Sequence, residues 1–166
     1  DKTYKLSYNS GVKAQDVAFT CEYYDIKGSK WVRFQDTMYK EVDGVWNATT
    51  SNTGDAPVGS EKLITYDQTT NSIKISANKD TLQAMAAKAG YSAASGETPG
   101  LPKIRINFYD VTDKDFVDFT TYGGCDITKE ITFTLNTLRG ITPTASFLSA
   151  SDPYLNIGLT APKQYA

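Results

Sequence analysis

Two runs of alternating side chains, Lys103–Asp110 and Glu130–Leu135, constrain this chain more than any other feature. In the first, Ile104, Ile106 and Phe108 recur at a period of two, with Arg105, Asn107 and Tyr109 between them. In the second, Ile131, Phe133 and Leu135 alternate with Thr132 and Thr134. A period of two sends successive side chains to opposite faces of an extended backbone, so each run predicts a strand with one covered face. Both runs are rich in β-branched and aromatic residues, which suit a pleated, half-covered surface. Such strands are stable only inside a sheet whose apolar face is packed against another layer.

The remaining segments supply that layer. Tyr4, Leu6 and Tyr8 alternate in a first strand that ends at the turn Asn9-Ser-Gly11. From Gln15 to Tyr24, Val17, Phe19, Cys21 and Tyr23 share one face, and Lys27-Gly28-Ser29 connects this strand to Trp31–Phe34 as a hairpin. Asp43-Gly44 between valines is a second hairpin signal. The passage from Asn47 to Ser60, dominated by Thr, Ser, Asn, Gly and Pro57, reads as a long exposed loop. Lys62–Tyr66 and Ser72–Ser76 form a further hairpin around a turn at Asp67–Asn71. One helix is expected, over residues 79–89: Asn78 is an N-cap, Asp80 sits in the first turn, Leu82, Met85, Ala86 and Ala89 mark one side, and Gly90 stops it. Ser92–Pro102 reads as a mobile connection, Asp115–Tyr122 as a strand, and Tyr154–Leu159 as a final strand before an apolar tail.

These elements predict an all-β fold: an antiparallel two-sheet β-sandwich, or a flattened barrel, of about eight to ten strands capped by one short helix. At 166 residues the chain is expected to be a single domain, 1–166, with a core large enough to need no staples. It starts at Asp1 without a methionine, as expected of a processed or trimmed amino terminus. No apolar run approaches the length of a membrane span.

Composition narrows the chemistry. A formal net charge of −2 with 22% charged residues is too balanced for a protein that grips phosphate backbones, so no nucleic-acid partner is expected. The chain has no histidine, which removes the commonest general base and rules out Ser-His-Asp and Cys-His sites within it. Zinc would depend on two distant cysteines and carboxylates, a poor donor set. Gly123-Gly124 and Ser95-Gly96 stand without the partners of a phosphate-binding loop. A carboxylate pair drawn from Glu22, Glu41, Glu130 or an Asp is the remaining route to an enzyme, and spacing brings no two of them together. The acidic run Asp110–Asp115, with Asp118 and Asp126 beyond it, lacks the alternate spacing, central Gly and closing Glu of a calcium loop, and Lys114 interrupts it. No enzyme, cofactor or metal is therefore expected. Cys21 and Cys125 are either bridged by a disulfide or two separate buried thiols. Asn47-Ala-Thr49 fits the N-glycosylation sequon, a short motif of low specificity.

Two non-catalytic functions are left. The first is a self-assembling structural subunit of a filament, pilus, phage tail tube or capsid, partnered by copies of itself and placed outside a cell, on its surface or in a virion. Its expected contacts are sheet edges and terminal segments, with Tyr4, Leu6, Tyr8, Tyr154, Leu155, Ile157 and Leu159 as candidate assembly residues. The second is a cell-surface carbohydrate- or protein-binding module in which Trp46, Trp31, Tyr24 and Tyr109 stack on surface glycans.

Overall fold

The expected alternation is realised as two stacked sheets. In the computed structural model the described residues are 2–7, 17–91, 100–111, 119, 127–136, 140–145 and 154–156. They form ten strands and one α-helix: β1 (Lys2–Ser7), β2 (Val17–Asp25), β3 (Lys30–Val42), β4 (Val45–Asn52), β5 (Ile64–Asp67), β6 (Ser72–Ile75), α1 (Lys79–Ala89), β7 (Ile104–Asp110), β8 (Ile127–Asn136), β9 (Gly140–Ala145) and β10 (Tyr154–Asn156). A six-stranded sheet runs β4-β3-β2-β7-β8-β9, and a four-stranded sheet runs β10-β1-β6-β5. Each has two ends, so neither sheet closes into a barrel, and the sandwich alternative is the one observed. Pairing is antiparallel throughout except at β10, which joins β1 in parallel.

The two alternating runs lie side by side as β7 and β8. β7 is flanked by β2 and β8, with Ile104 opposite both Tyr23 and Ile131. Ile104, Ile106 and Phe108 turn inward with Val17, Phe19 and Cys21, all fully buried. Across the interface Tyr66 of β5 meets Phe19 edge-on at 6.3 Å and Tyr39 of β3 at 5.4 Å. Leu63, Ile64, Ile73 and Ile75 complete the facing layer with no exposed surface. A buried side chain of this size is worth about 1.5–3 kcal/mol relative to exposure, so this cluster is the main source of stability.

The helix matches its expected bounds. Asn78 accepts a hydrogen bond from the Thr81 amide at 3.0 Å, and Gly90 closes the last turn in the left-handed conformation (φ 87°). Leu82, Met85 and Ala89 bury fully. The carbonyl of Ala89 accepts from Ile26 and Lys27, tying the helix end to the β2–β3 turn.

Two expectations change. The stretch read as a loop from Asn47 to Ser60 is β4 as far as Asn52, followed by a single 3-10 turn at Ser60–Lys62. β4 lacks strong apolar alternation because it lies at a sheet edge, paired among the described residues with β3 alone. In the stretch read as a strand from Asp115 to Tyr122, the one described residue, Phe119, has a helical backbone. The connection 92–99 and most of the acidic run lie outside the described residues.

Candidate interaction surfaces

The first candidate surface is the outer face of the six-stranded sheet. Alternation on β2 and β7 puts Thr20, Glu22, Tyr24, Arg105, Asn107 and Tyr109 on the face opposite Phe19 and Phe108, where Thr20, Asn107 and Tyr109 are nonetheless buried, and antiparallel register sets Glu22 opposite Arg105 and Thr20 opposite Asn107. The Arg105 Nε donates to Glu22 Oε1 at 3.0 Å. Asn107 Nδ2 donates to the same carboxylate oxygen and to Thr20 Oγ1, while its Oδ1 accepts from Thr128. The Arg105 guanidinium also lies over the Trp31 ring at 4.3 Å, and Tyr24 meets Trp31 edge-on at 5.3 Å. Polar contacts at Thr20, Glu22, Arg105, Asn107 and Thr128 thus link three neighbouring strands across this face.

The four aromatics expected to stack on glycans separate into different environments. Trp31 and Tyr24 are together and half-buried, with one Trp31 face occupied by Arg105. Tyr109 is buried, 5% exposed, beneath Phe119 at 5.1 Å. Trp46, expected beside a polar loop, is on β4 and turns inward to pack on the core. Its carbonyl accepts a hydrogen bond from Gln68 Nε2. An open row of aromatic faces is therefore not what the fold presents.

The terminal segments expected at the assembly contact are placed in the chain's own sheet. Tyr4 and Leu6 are buried in the core, and β1 lies between β6 and β10. Asn71 locks it there. Its carbonyl accepts from the Leu6 amide at 2.8 Å, its Nδ2 donates to the Leu6 carbonyl at 3.2 Å, and its Oδ1 accepts from the Tyr66 hydroxyl at 2.8 Å. Tyr154 and Leu155 are in β10, opposite Lys5 and Leu6; Tyr8, Ile157 and Leu159 lie outside the described residues. Cys21 is a free, fully buried thiol, and burial followed by the charges of Asp36 and Glu22 pushes its pKa well up. Its candidate partner Cys125 lies outside the described residues. Glu22 is held by Arg105, while Glu41 and Glu130 are exposed. Among the described residues no three His, Cys, Asp or Glu side chains are grouped to hold a metal ion, and no helix is long and apolar enough to cross a membrane.

The second candidate surface, missed in the sequence, is the free edge of β4. Asp43 (φ 51°) and Gly44 (φ 79°) are both left-handed, which makes the β3–β4 connection a two-residue type I′ turn. Such a turn closes on Val42 and Val45, which exchange both backbone bonds. The backbone groups of Asn47, Thr49 and Ser51 then face β3. Those of Trp46, Ala48, Thr50 and Asn52 face away from it. Two contacts agree with this phase. The Thr53 amide continues the odd-numbered series by donating to the Phe34 carbonyl at 3.1 Å. The Thr37 and Thr50 hydroxyls meet at 3.2 Å, as the closer side-chain approach of a non-hydrogen-bonded pair allows. Apart from the Trp46 carbonyl, these outward groups have no hydrogen bond to any described residue.

No protein-family model, curated protein or solved structure matches the chain.

Proposed function

We propose that this chain is a self-assembling structural subunit, of the kind that builds a filament, tail tube, pilus or shell outside a cell or in a virion, and that its copies join through sheet edges. One observation carries the reading: β4 is an eight-residue edge strand, Val-Trp-Asn-Ala-Thr-Thr-Ser-Asn, with no charge and no proline. Edges of isolated domains are ordinarily blunted by lysine, proline, bulges or a covering segment, because unpaired amides and carbonyls recruit another strand. Among the described residues β4 has none of these along Ala48–Asn52. The exposed valines Val42 (56%) and Val45 (60%) at the hairpin tip extend the same edge with apolar surface. The contact assigned here differs from the terminal one the sequence suggested, since β1 is used within its own sheet.

Carbohydrate recognition has weaker support. Of its four aromatics, only Tyr24 and Trp31 share a surface, and that surface is engaged by Arg105.

Light scattering over a concentration series, with negative-stain imaging, tests the assignment. The expected result is a species heavier than the 18.2 kDa chain, increasing with concentration. A strict monomer that binds glycans saturably would replace assembly with recognition.

A further inference from the structure

We propose that the β4 contact is isologous and closes a dimer that is the building block of the assembly: β4 pairs antiparallel with β4 of a second copy, and Thr50 lies on the two-fold axis. This deepens the assembly reading and rests on it.

The choice of a second copy follows from the edges the fold leaves. In the six-stranded sheet the opposite edge is β9, where Pro143 removes a backbone donor in mid-strand. A head-to-tail contact from β4 to β9 would meet that gap in every repeat. In the four-stranded sheet the edges are β5 and β10, of four and three residues, too short to match β4. The edge that fits β4 best in length and in an uninterrupted row of donors is another β4. Because the strand is uncharged, two copies meet without like-charge repulsion, and a two-fold contact is self-complementary by construction.

The register follows from the backbone phase. Strands exchange bonds only between residues whose amide and carbonyl both point outward, here the even-numbered positions of β4. With Thr50 opposite its own copy, Ala48 faces Asn52 of the other strand and Asn52 faces Ala48. Each pair then exchanges both of its backbone bonds. Shifting the axis to Thr49 would instead oppose Trp46 to Asn52 and require the Gln68 side chain to release the Trp46 carbonyl. The Thr50 register leaves that bond intact. On the outer face it sets Thr49 against Ser51, both exposed, and the six-stranded sheets merge into one that crosses both subunits.

Three variants of the full chain, compared with the unsubstituted protein, test this. Thr50→Cys under mild oxidation should form a symmetric disulfide dimer, since paired antiparallel residues hold their Cα atoms about 5.5 Å apart, within disulfide range. Asn47→Cys, which this register leaves away from its own copy, should not. The double variant Thr49→Lys, Ser51→Lys sets lysines of the two copies directly opposite each other across the axis, on a face that is exposed in the single chain, and should lose the dimer while its circular dichroism is unchanged. In the unsubstituted chain at high concentration, the Ala48, Thr50 and Asn52 amides should become protected from exchange relative to dilute solution. Oligomers that persist in the lysine variant, with no Thr50 cross-link, would overturn the β4 contact and leave assembly standing. A monomer at every concentration would overturn both.

Discussion

Asn71 shows how one residue sets the path of a distant segment. Its left-handed backbone (φ 49°) makes the β5–β6 turn, and its side chain and carbonyl hold Leu6, 65 residues earlier in sequence. Asn71→Ala removes the side-chain bonds and places a residue with a Cβ penalty in the left-handed region, a combined cost of about 2–4 kcal/mol. Asn71→Gly should recover the conformational share alone, and urea unfolding of the two variants separates the contributions. Asp36 offers a pH-dependent counterpart. Burial raises its pKa, only partly offset by the Arg33 guanidinium 3.6 Å away and a hydrogen bond with Thr53. The folded chain therefore keeps this proton at a pH where the unfolded chain has released it. Stability from the protonated form is full below the ordinary value of 3.8 and is lost as pH rises through the raised folded value. Asp36→Asn should flatten the fall in unfolding free energy across that window, as measured by urea titration at a series of pH values. An unchanged slope would show that the carboxyl is not the group responsible.

Among the elements, α1 stands on its caps as much as on its packing. Lys79–Ala89 is too short to be stable alone in water, and its first turn depends on the Asn78 side chain. Asn78→Ala should cost about 1 kcal/mol. Gly90→Ala should cost about 1–2 kcal/mol from its left-handed φ alone, and the added methyl would meet the Lys27 side chain at 2.5 Å. Thermal unfolding followed at 222 nm reads both. β3 illustrates a different constraint. Its pairing with β2 shifts register between Cys21 and Glu22, with Phe34 as the extra residue. Both Phe34 and Gln35 consequently reach the core, and the inward set changes phase to Gln35, Thr37 and Tyr39, all buried. The Gln35 amide uses that position to donate to the Ile64 carbonyl of the opposite sheet.

At the scale of the whole molecule, a net charge of −2 and an uncharged β4 make salt a discriminating variable. Contacts between charged surfaces weaken as salt screens them, whereas backbone bonding along an uncharged edge does not depend on screening. Raising the salt to about 1 M, where the Debye length is roughly 3 Å, should leave the oligomer seen by light scattering intact. Dissociation at high salt would assign the contact to charged residues instead.

What could be read directly from the chain was local. The alternation of Ile104, Ile106 and Phe108, the Asp43-Gly44 turn and the Asn78 to Gly90 frame each depend on neighbours in sequence, and each forms where expected. The sandwich followed from them because half-apolar strands need a facing layer. β4 carries little strand signal because Thr, Ser and Asn dominate it; its pairing with β3 and the inward turn of Trp46 and Ala48 make it extended. Tertiary structure alone decided that β1 belongs to its own sheet, that Tyr109 is covered, and that Arg105 occupies the face of Trp31. The physical reason is that periodicity reports which side of a strand is apolar. Which strand lies beside it, and which edge is left without a neighbour, depends on contacts between residues far apart in the chain.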